Sequence, residues 1–196
     1  MQRRLLLLVL ALAAPLSLHA GAADQLLDAR TSTAINPRYL LVGHDGQAVT
    51  EQDFPGRFQL IAFGYTYCPD ICPTTLVEMT KILGELNDDA PRLQAIFISV
   101  DPQRDTPAVL KTYTDFFDPR ILGLTGSPEL VRRAAQNYRV RYAKISLPGT
   151  DPLHYSVDHS AGMYLLGPNG EFIRKFAYGR PLAEVIEEIR AQLKRH

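Results

Sequence analysis

The strongest pattern in the chain is the alternation of buried-type apolar runs with helical-period segments. Phe58–Gly64 is a predominantly apolar run suited to a strand buried on both faces. Leu76, Met79, Leu83 and Leu86 follow at helical spacing, with Pro73 at the expected helix start, where a missing N–H costs nothing. Residues 93–100 form a second buried-strand pattern, closed by a turn at Asp101-Pro102. Thr106-Pro107 opens a second helix bearing Leu110, Tyr113 and Phe117, and residues 121–125 suit a short strand. Ser127-Pro128 caps a third helix carrying Val131, Ala134 and Tyr138. Residues 140–145 and 163–166 both read as strands. Pro168-Asn169-Gly170 is a tight turn into residues 172–177, so the last two strands form a hairpin. Leu182, Val185, Ile186, Ile189 and Leu193 line one face of a terminal helix. Upstream, residues 39–42 and 47–50 flank Gly43-His44-Asp45-Gly46, the pattern of a short hairpin.

Strands alternating with helices predict an α/β domain, with a partly parallel central sheet covered by helices. The closing antiparallel hairpin and final helix give the thioredoxin-like arrangement: a central mixed sheet flanked by helices, with an N-terminal hairpin in front. No internal repeat or low-complexity segment interrupts it.

The first residues behave differently. Arg3 and Arg4 precede an apolar run from Leu5 to Ala14, then Pro15 and the small-residue stretch Ala20-Gly21-Ala22-Ala23. This is the layout of a secretory signal over residues 1–22, with cleavage after Ala22. A retained membrane anchor is the alternative, though the apolar run is short against the ~20 residues a spanning helix needs. Residues 23–35 then read as a lead-in or tether, and residues 36–196 as the folded domain. The expected location is the periplasm, either soluble or tethered to the outer face of the inner membrane. The 196 residues hold 21 basic and 21 acidic side chains and a formal charge of zero. With no polybasic run, nucleic-acid binding has no electrostatic footprint.

Two cysteines are present, four apart, in Cys68-Pro69-Asp70-Ile71-Cys72. They lie between a buried strand and the following helix, where free N–H groups and the positive end of the helix dipole favour thiolate over thiol. A structural disulfide closing so short a loop would remove little entropy from the unfolded chain. A redox pair usually has two intervening residues rather than three. Two thiolates at this spacing can instead converge on one soft ion, Cu(I) or zinc, and three-coordinate Cu(I) needs one more soft donor or a histidine. A peroxide-reducing site fits poorly, because Thr66 stands two rather than three residues before Cys68.

Five histidines are available to complete the set. His19 falls in the signal, His196 is terminal and His44 sits in a Gly-flanked turn. His154 and His159 remain. His159 lies just before the strand at 163–166, in a loop that faces the cysteine loop in thioredoxin-like folds. Thiol oxidoreductases of this fold usually carry a proline there, and none occurs between Pro152 and Pro168. Cys68, Cys72 and His159 are therefore the candidate metal ligands. Asp158 is a candidate to orient the ring or tune the site from behind it.

Phe63-Gly64-Tyr65-Thr66-Tyr67-Cys68-Pro69-Asp70-Ile71-Cys72-Pro73-Thr74 resembles the signature of Sco/SenC proteins. Ser99-Val100-Asp101-Pro102-Gln103-Arg104-Asp105-Thr106-Pro107 is similar to a second stretch of that family. Leu124-Thr125-Gly126-Ser127, and Val157-Asp158-His159-Ser160 with Tyr164-Leu165 and Pro168-Asn169-Gly170, are similar to further stretches. The resemblance implies a copper-binding metallochaperone, carrying Cu(I) or Cu(II) on Cys68, Cys72 and His159. It implies as partners the copper-receiving subunit of cytochrome c oxidase and an upstream copper donor. The alternative function is a thiol–disulfide oxidoreductase that uses Cys68 and Cys72 without an obligatory metal. Asp101, Asp105 and Thr106 are expected to be turn and helix-cap residues.

Overall fold

The computed structural model of the protein describes residues 34–146 and 155–196. The expected signal over 1–22, most of the lead-in over 23–35, and His154 lie outside the described residues. Residues Ile35–His196 cluster as one compact unit.

The centre of this unit is a five-stranded mixed sheet. Strand β3 (Phe58–Gly64) lies in the middle, with all seven residues buried. Parallel to it runs β4 (Leu93–Ser99), also fully buried, and beyond that β5 (Ile121–Leu124), parallel to β4. On the other side β8 (Met163–Leu166) pairs antiparallel with β3, and β9 (Phe172–Phe176) pairs antiparallel with β8. The order β5-β4-β3-β8-β9 is the mixed thioredoxin-like sheet expected from the pattern. Burial on both faces explains why β3 and β4 read as apolar runs rather than as alternation. The N-terminal hairpin forms as expected from β1 (Leu40–Val42) and β2 (Ala48–Thr50).

Helices α1 (Ile71–Glu85), α2 (Pro107–Phe117), α3 (Pro128–Asn137) and α4 (Leu182–Leu193) flank the sheet. The Thr106 and Ser127 side chains accept hydrogen bonds from the Val109 and Leu130 amides, so both predicted N-caps are in place, each followed by proline. Successive residues of β3 face opposite sides of the sheet. Phe63 packs against Tyr138 and Tyr164, whereas a side chain at Gly64 would meet Cys72 and Phe97. The α1 face of the sheet is therefore the face on which a cysteine lies. No helix among the described residues is long and apolar enough to cross a membrane.

Two boundaries differ from the sequence expectation, and both bear on the candidate site. Helix α1 begins at Ile71 rather than at Pro73, so Cys72 belongs to its first turn. Proline is tolerated there because the first four amides of a helix have no partner within it. Residues Tyr155–His159, expected to be a loop, form strand β7, which pairs antiparallel with β6 (Tyr142–Ser146). This two-stranded ribbon is not hydrogen-bonded into the central sheet. Its residues are mostly polar, and only Val157 of β7 is fully buried, so it lacks the apolar run that revealed the inner strands. Gly162, at φ +116, then turns the chain into β8, at a point where any side chain would strike the carbonyl oxygen of Phe176.

Candidate metal centre

Cys68, Cys72 and His159 come together. One donor atom from each lies within 4.8 Å of the others, and among the described residues this is the one cluster of three such side chains. Cys72 Sγ stands 3.4 Å from His159 Nε2, across 87 positions of sequence. Cys68 Sγ accepts a hydrogen bond from the Cys72 amide at 3.4 Å. Both cysteines are free thiols, Cys68 half-buried and Cys72 buried.

Each position has a local cause. Strand β3 ends at Gly64, and a tight turn, with the Cys68 amide donating to the Tyr65 carbonyl at 3.3 Å, aims the chain into α1. The Cys72 sulfur occupies the space that a side chain at Gly64 would need: a Cβ there would stand 2.5 Å from Cys72 Sγ and 2.7 Å from Phe97 Cζ. His159 is the last residue of β7, and its ring meets Tyr65 edge-on, with centroids 6.0 Å apart. The Tyr65 hydroxyl in turn accepts the Val157 amide at 3.2 Å. Tyr65 is buried and walls the site, whereas Tyr67 is 64% exposed.

The turn before Cys68 is anchored by Asp105, expected from the sequence only as a turn or helix-cap residue. Asp105 is fully buried and accepts three hydrogen bonds: from the Thr66 amide at 3.0 Å, the Thr66 hydroxyl at 2.6 Å and the Ser99 hydroxyl at 2.6 Å. Its acidity is weakened by burial, with these hydrogen bonds opposing the effect. Thr106 is the helix cap it was expected to be, but Asp105 cross-links the β4–α2 loop to the cysteine turn. The available signal was topological. Residues 65–70 and 100–105 both follow parallel strands and so emerge at the same edge of the sheet.

The electrostatics depart from the expectation of a lowered thiol pKa. For Cys72, burial pushes the thiol well up, and the hydrogen bond with Cys68 adds to this. Burial also lowers the His159 pKa from its ordinary 6.5, while the Ser160 carbonyl and the Asp158 charge act in the opposite direction. His159 Nδ1 lies 3.2 Å from the Ser160 carbonyl oxygen. Donation of Nδ1–H to that oxygen leaves the Nε2 lone pair facing Cys72. Asp158 is exposed and acts on the ring only through its charge, the smallest of the three influences; the oriented hydrogen bond is made by Ser160.

Two sulfurs and a neutral imidazole form a soft donor set. In a three-coordinate site with bonds of roughly 2.0–2.3 Å, neighbouring donors stand roughly 3.5–4 Å apart. The observed cluster is close to that size. Of the remaining histidines described, His44 is exposed in its turn and the His196 ring packs on Phe58.

Residues 27–194 match the SCO1/SenC family. The mitochondrial SCO2 homologue of Mus musculus is 41% identical over 157 residues, covering 79% of this chain and 61% of that protein. The mitochondrial SCO1 homologue of Homo sapiens is 37% identical over 158 residues, covering 80% and 52%. The chain thus spans between about half and three fifths of the length of these relatives. The structure of Arabidopsis thaliana ScoI with copper bound superposes with a TM-score of 0.76 at 34% identity, covering 83% of this chain and all of that one. Bradyrhizobium japonicum ScoI with copper bound gives 0.72 at 40% identity, covering 81% and 99%. BsSco, described with a disulfide switch and as a member of the Sco family of cytochrome c oxidase assembly proteins, gives 0.61 at 25% identity, covering 81% and 93%.

Two measurements probe this geometry. Gly64→Ala is expected to cost about 1–3 kcal/mol in denaturant unfolding, as overpacking does, and to force the Cys72 sulfur outward, so that it reacts faster with a thiol-alkylating reagent. An unchanged unfolding midpoint together with unchanged alkylation would contradict the close approach. The lowered His159 pKa also has a sign in stability. Between its folded value and the ordinary 6.5 the unfolded chain holds more protons. Stability is therefore complete above about 6.5 and falls as the pH drops through that window. Unfolding measured across it should slope in the parent protein and flatten in His159→Gln.

Proposed function

Since the chain belongs to the SCO1/SenC family, we propose that it is an exported metallochaperone that carries copper on Cys68, Cys72 and His159. Its acceptor is the binuclear copper site of cytochrome c oxidase, and an upstream copper donor loads it. The observation that carries this reading is the convergence of the three donor atoms within 4.8 Å. Two sulfurs and an imidazole suit Cu(I), and the imidazole keeps Cu(II) accessible. Copper-bound structures of two similar proteins support the choice of metal. The buried Cys72 thiol gives up its proton on loading, so uptake is coupled to proton release. Cys68, half-buried beside the exposed Tyr67, is the sulfur that an acceptor's ligands reach first.

A second reading is favoured by the two free thiols at a strand–helix junction and by the disulfide switch described for BsSco. In it the Cys68 thiolate attacks a target disulfide, and Cys72 resolves the mixed disulfide. The target gains two thiols, and Cys68 and Cys72 are left joined. The two activities are compatible, because a copper acceptor must present reduced cysteines.

The N-terminal residues support export. We read residues 1–22 as a signal removed after Ala22, followed by a lead-in over 23–35 and the copper-binding domain over 36–196, placed in the periplasm. N-terminal sequencing of the protein recovered from a periplasmic fraction should begin at Ala23; recovery of the uncut chain in the membrane fraction would identify an anchor instead.

The ligand assignment is tested by titrating the reduced protein with Cu(I) against a competing chelator. Cys68→Ser and Cys72→Ser should each abolish stoichiometric binding. His159→Ala should weaken it by on the order of tenfold or more, the scale of losing one supporting group at a metal site. A His159→Ala protein that binds as tightly as the parent, with the same Cu(II) spectrum, would reduce the site to its two thiols and favour the oxidoreductase reading.

A further inference from the structure

His159 sits on an arm that the central sheet does not hold. The β6–β7 ribbon makes no ladder with β3, β4 or their neighbours, and an isolated two-stranded ribbon is at best marginally stable in water. Four of the five residues of β6 are exposed. Something other than backbone pairing must hold the imidazole at the sulfurs.

Tyr155, Val157 and His159 alternate along β7 and so face the same side. Val157 is buried and its amide is hydrogen-bonded to Tyr65. At the far end of the strand, Tyr155 meets Arg104. The guanidinium carbon lies 3.7 Å from the centre of the Tyr155 ring, within the range of a cation–π contact. Arg104 Nη1 donates to the Tyr155 carbonyl oxygen at 2.9 Å, and Arg104 Nε donates to Asp101 Oδ2 at 2.5 Å. The Tyr155 hydroxyl closes the ring by donating to Asp101 Oδ1 at 2.7 Å. The same guanidinium lies 4.7 Å from the Tyr67 ring and 5.6 Å from that of Tyr65, on the turn that ends at Cys68. Arg104 therefore touches the loop after β4, the cysteine turn and the histidine arm at once. Its side chain is only 11% exposed and its partner Asp101 is fully buried, so the contacts are shielded from water and salt.

We infer that Arg104 is a positioning residue that docks the β6–β7 arm and so presets His159 against Cys72 before the metal arrives. The inference rests on the three-donor reading of the site. A planar guanidinium lying over one ring, while hydrogen-bonded to a carbonyl and a carboxylate, holds Tyr155 from more than one direction; an ammonium group makes no such fork. Because Tyr155 and His159 share one short extended strand, fixing one end constrains the other.

Two variants separate docking from general damage. Arg104→Lys keeps a cation beside Asp101, and Arg104→Gln combined with Asp101→Asn removes both charges, so neither leaves a buried carboxylate without a partner. In the copper-free proteins, hydrogen exchange of the amides in residues 155–159 should accelerate by on the order of tenfold, with β3 and β4 unchanged. Cu(I) affinity should fall by on the order of tenfold in the otherwise intact protein. In a His159→Ala background the same changes should alter it by less than about twofold, since the group being positioned is gone. Unchanged exchange in the arm overturns the inference, as do equal affinity losses in both backgrounds once His159→Ala alone has been seen to weaken binding. A His159→Ala protein that binds Cu(I) undiminished overturns the three-donor reading and this inference with it.

Discussion

The contact on which the site depends is the 3.4 Å approach of Cys72 Sγ to His159 Nε2, between residues 87 positions apart. No local propensity brings them together. The sulfur is placed by the centre of the fold: β3 ends at a glycine so bare that the thiol fills the space of its missing side chain, and α1 starts two residues too early for that thiol to lie outside the helix. The imidazole is placed by a ribbon outside the central sheet. A rigid half and a tethered half meet at one point, so the accuracy of the site is set by the tether more than by the core.

Burial determines the charge state of the metal-free site. For Cys72 desolvation favours the neutral thiol, and for His159 it favours the neutral ring. The resting centre thus places a thiol proton against an uncharged imidazole. This avoids the penalty of an unpaired buried ion. A soft cation that replaces the thiol proton brings its own compensating charge. The site is therefore comfortable when protonated and costly as a bare anion. That preference is built first from burial of Cys72, with the neighbouring Cys68 and Asp105 adding to it.

Much of this was legible in the chain. The apolar runs of β3 and β4, the Thr106 and Ser127 caps and the terminal helix face were read directly, because each depends on neighbours close in sequence. The pairing of Cys68 and Cys72 at a strand–helix junction was legible for the same reason. Strand β7 was not legible: its pattern of Tyr, Ser, Val, Asp and His has a single residue fully buried, and polar alternation of that length does not distinguish a ribbon from a loop. Nor was Asp105. A buried aspartate that accepts from Thr66 and Ser99 looks, in sequence, like any turn residue beside a helix cap. Its role depends on two loops sharing an edge of the sheet, a property of topology that no window of residues contains.

That shared edge also explains how two such different supports stay in register. The segment from Asp101 to Asp105 holds both. At one end, Asp105 grips Thr66 and with it the turn that leads to Cys68. At the other, Asp101 and Arg104 grip Tyr155 and with it the strand that ends at His159. The segment is itself closed by the Asp105 amide donating to the Asp101 carbonyl at 3.0 Å, and pinned to the sheet by the Asp101 amide donating to the Ser99 hydroxyl at 3.0 Å. The turn that leads to Cys68 and the strand that ends at His159 thus hang from one short frame, while the Cys72 sulfur is set by α1 and the end of β3. Separating the turn before Cys68 from the strand that carries His159 therefore requires breaking buried hydrogen bonds to this frame.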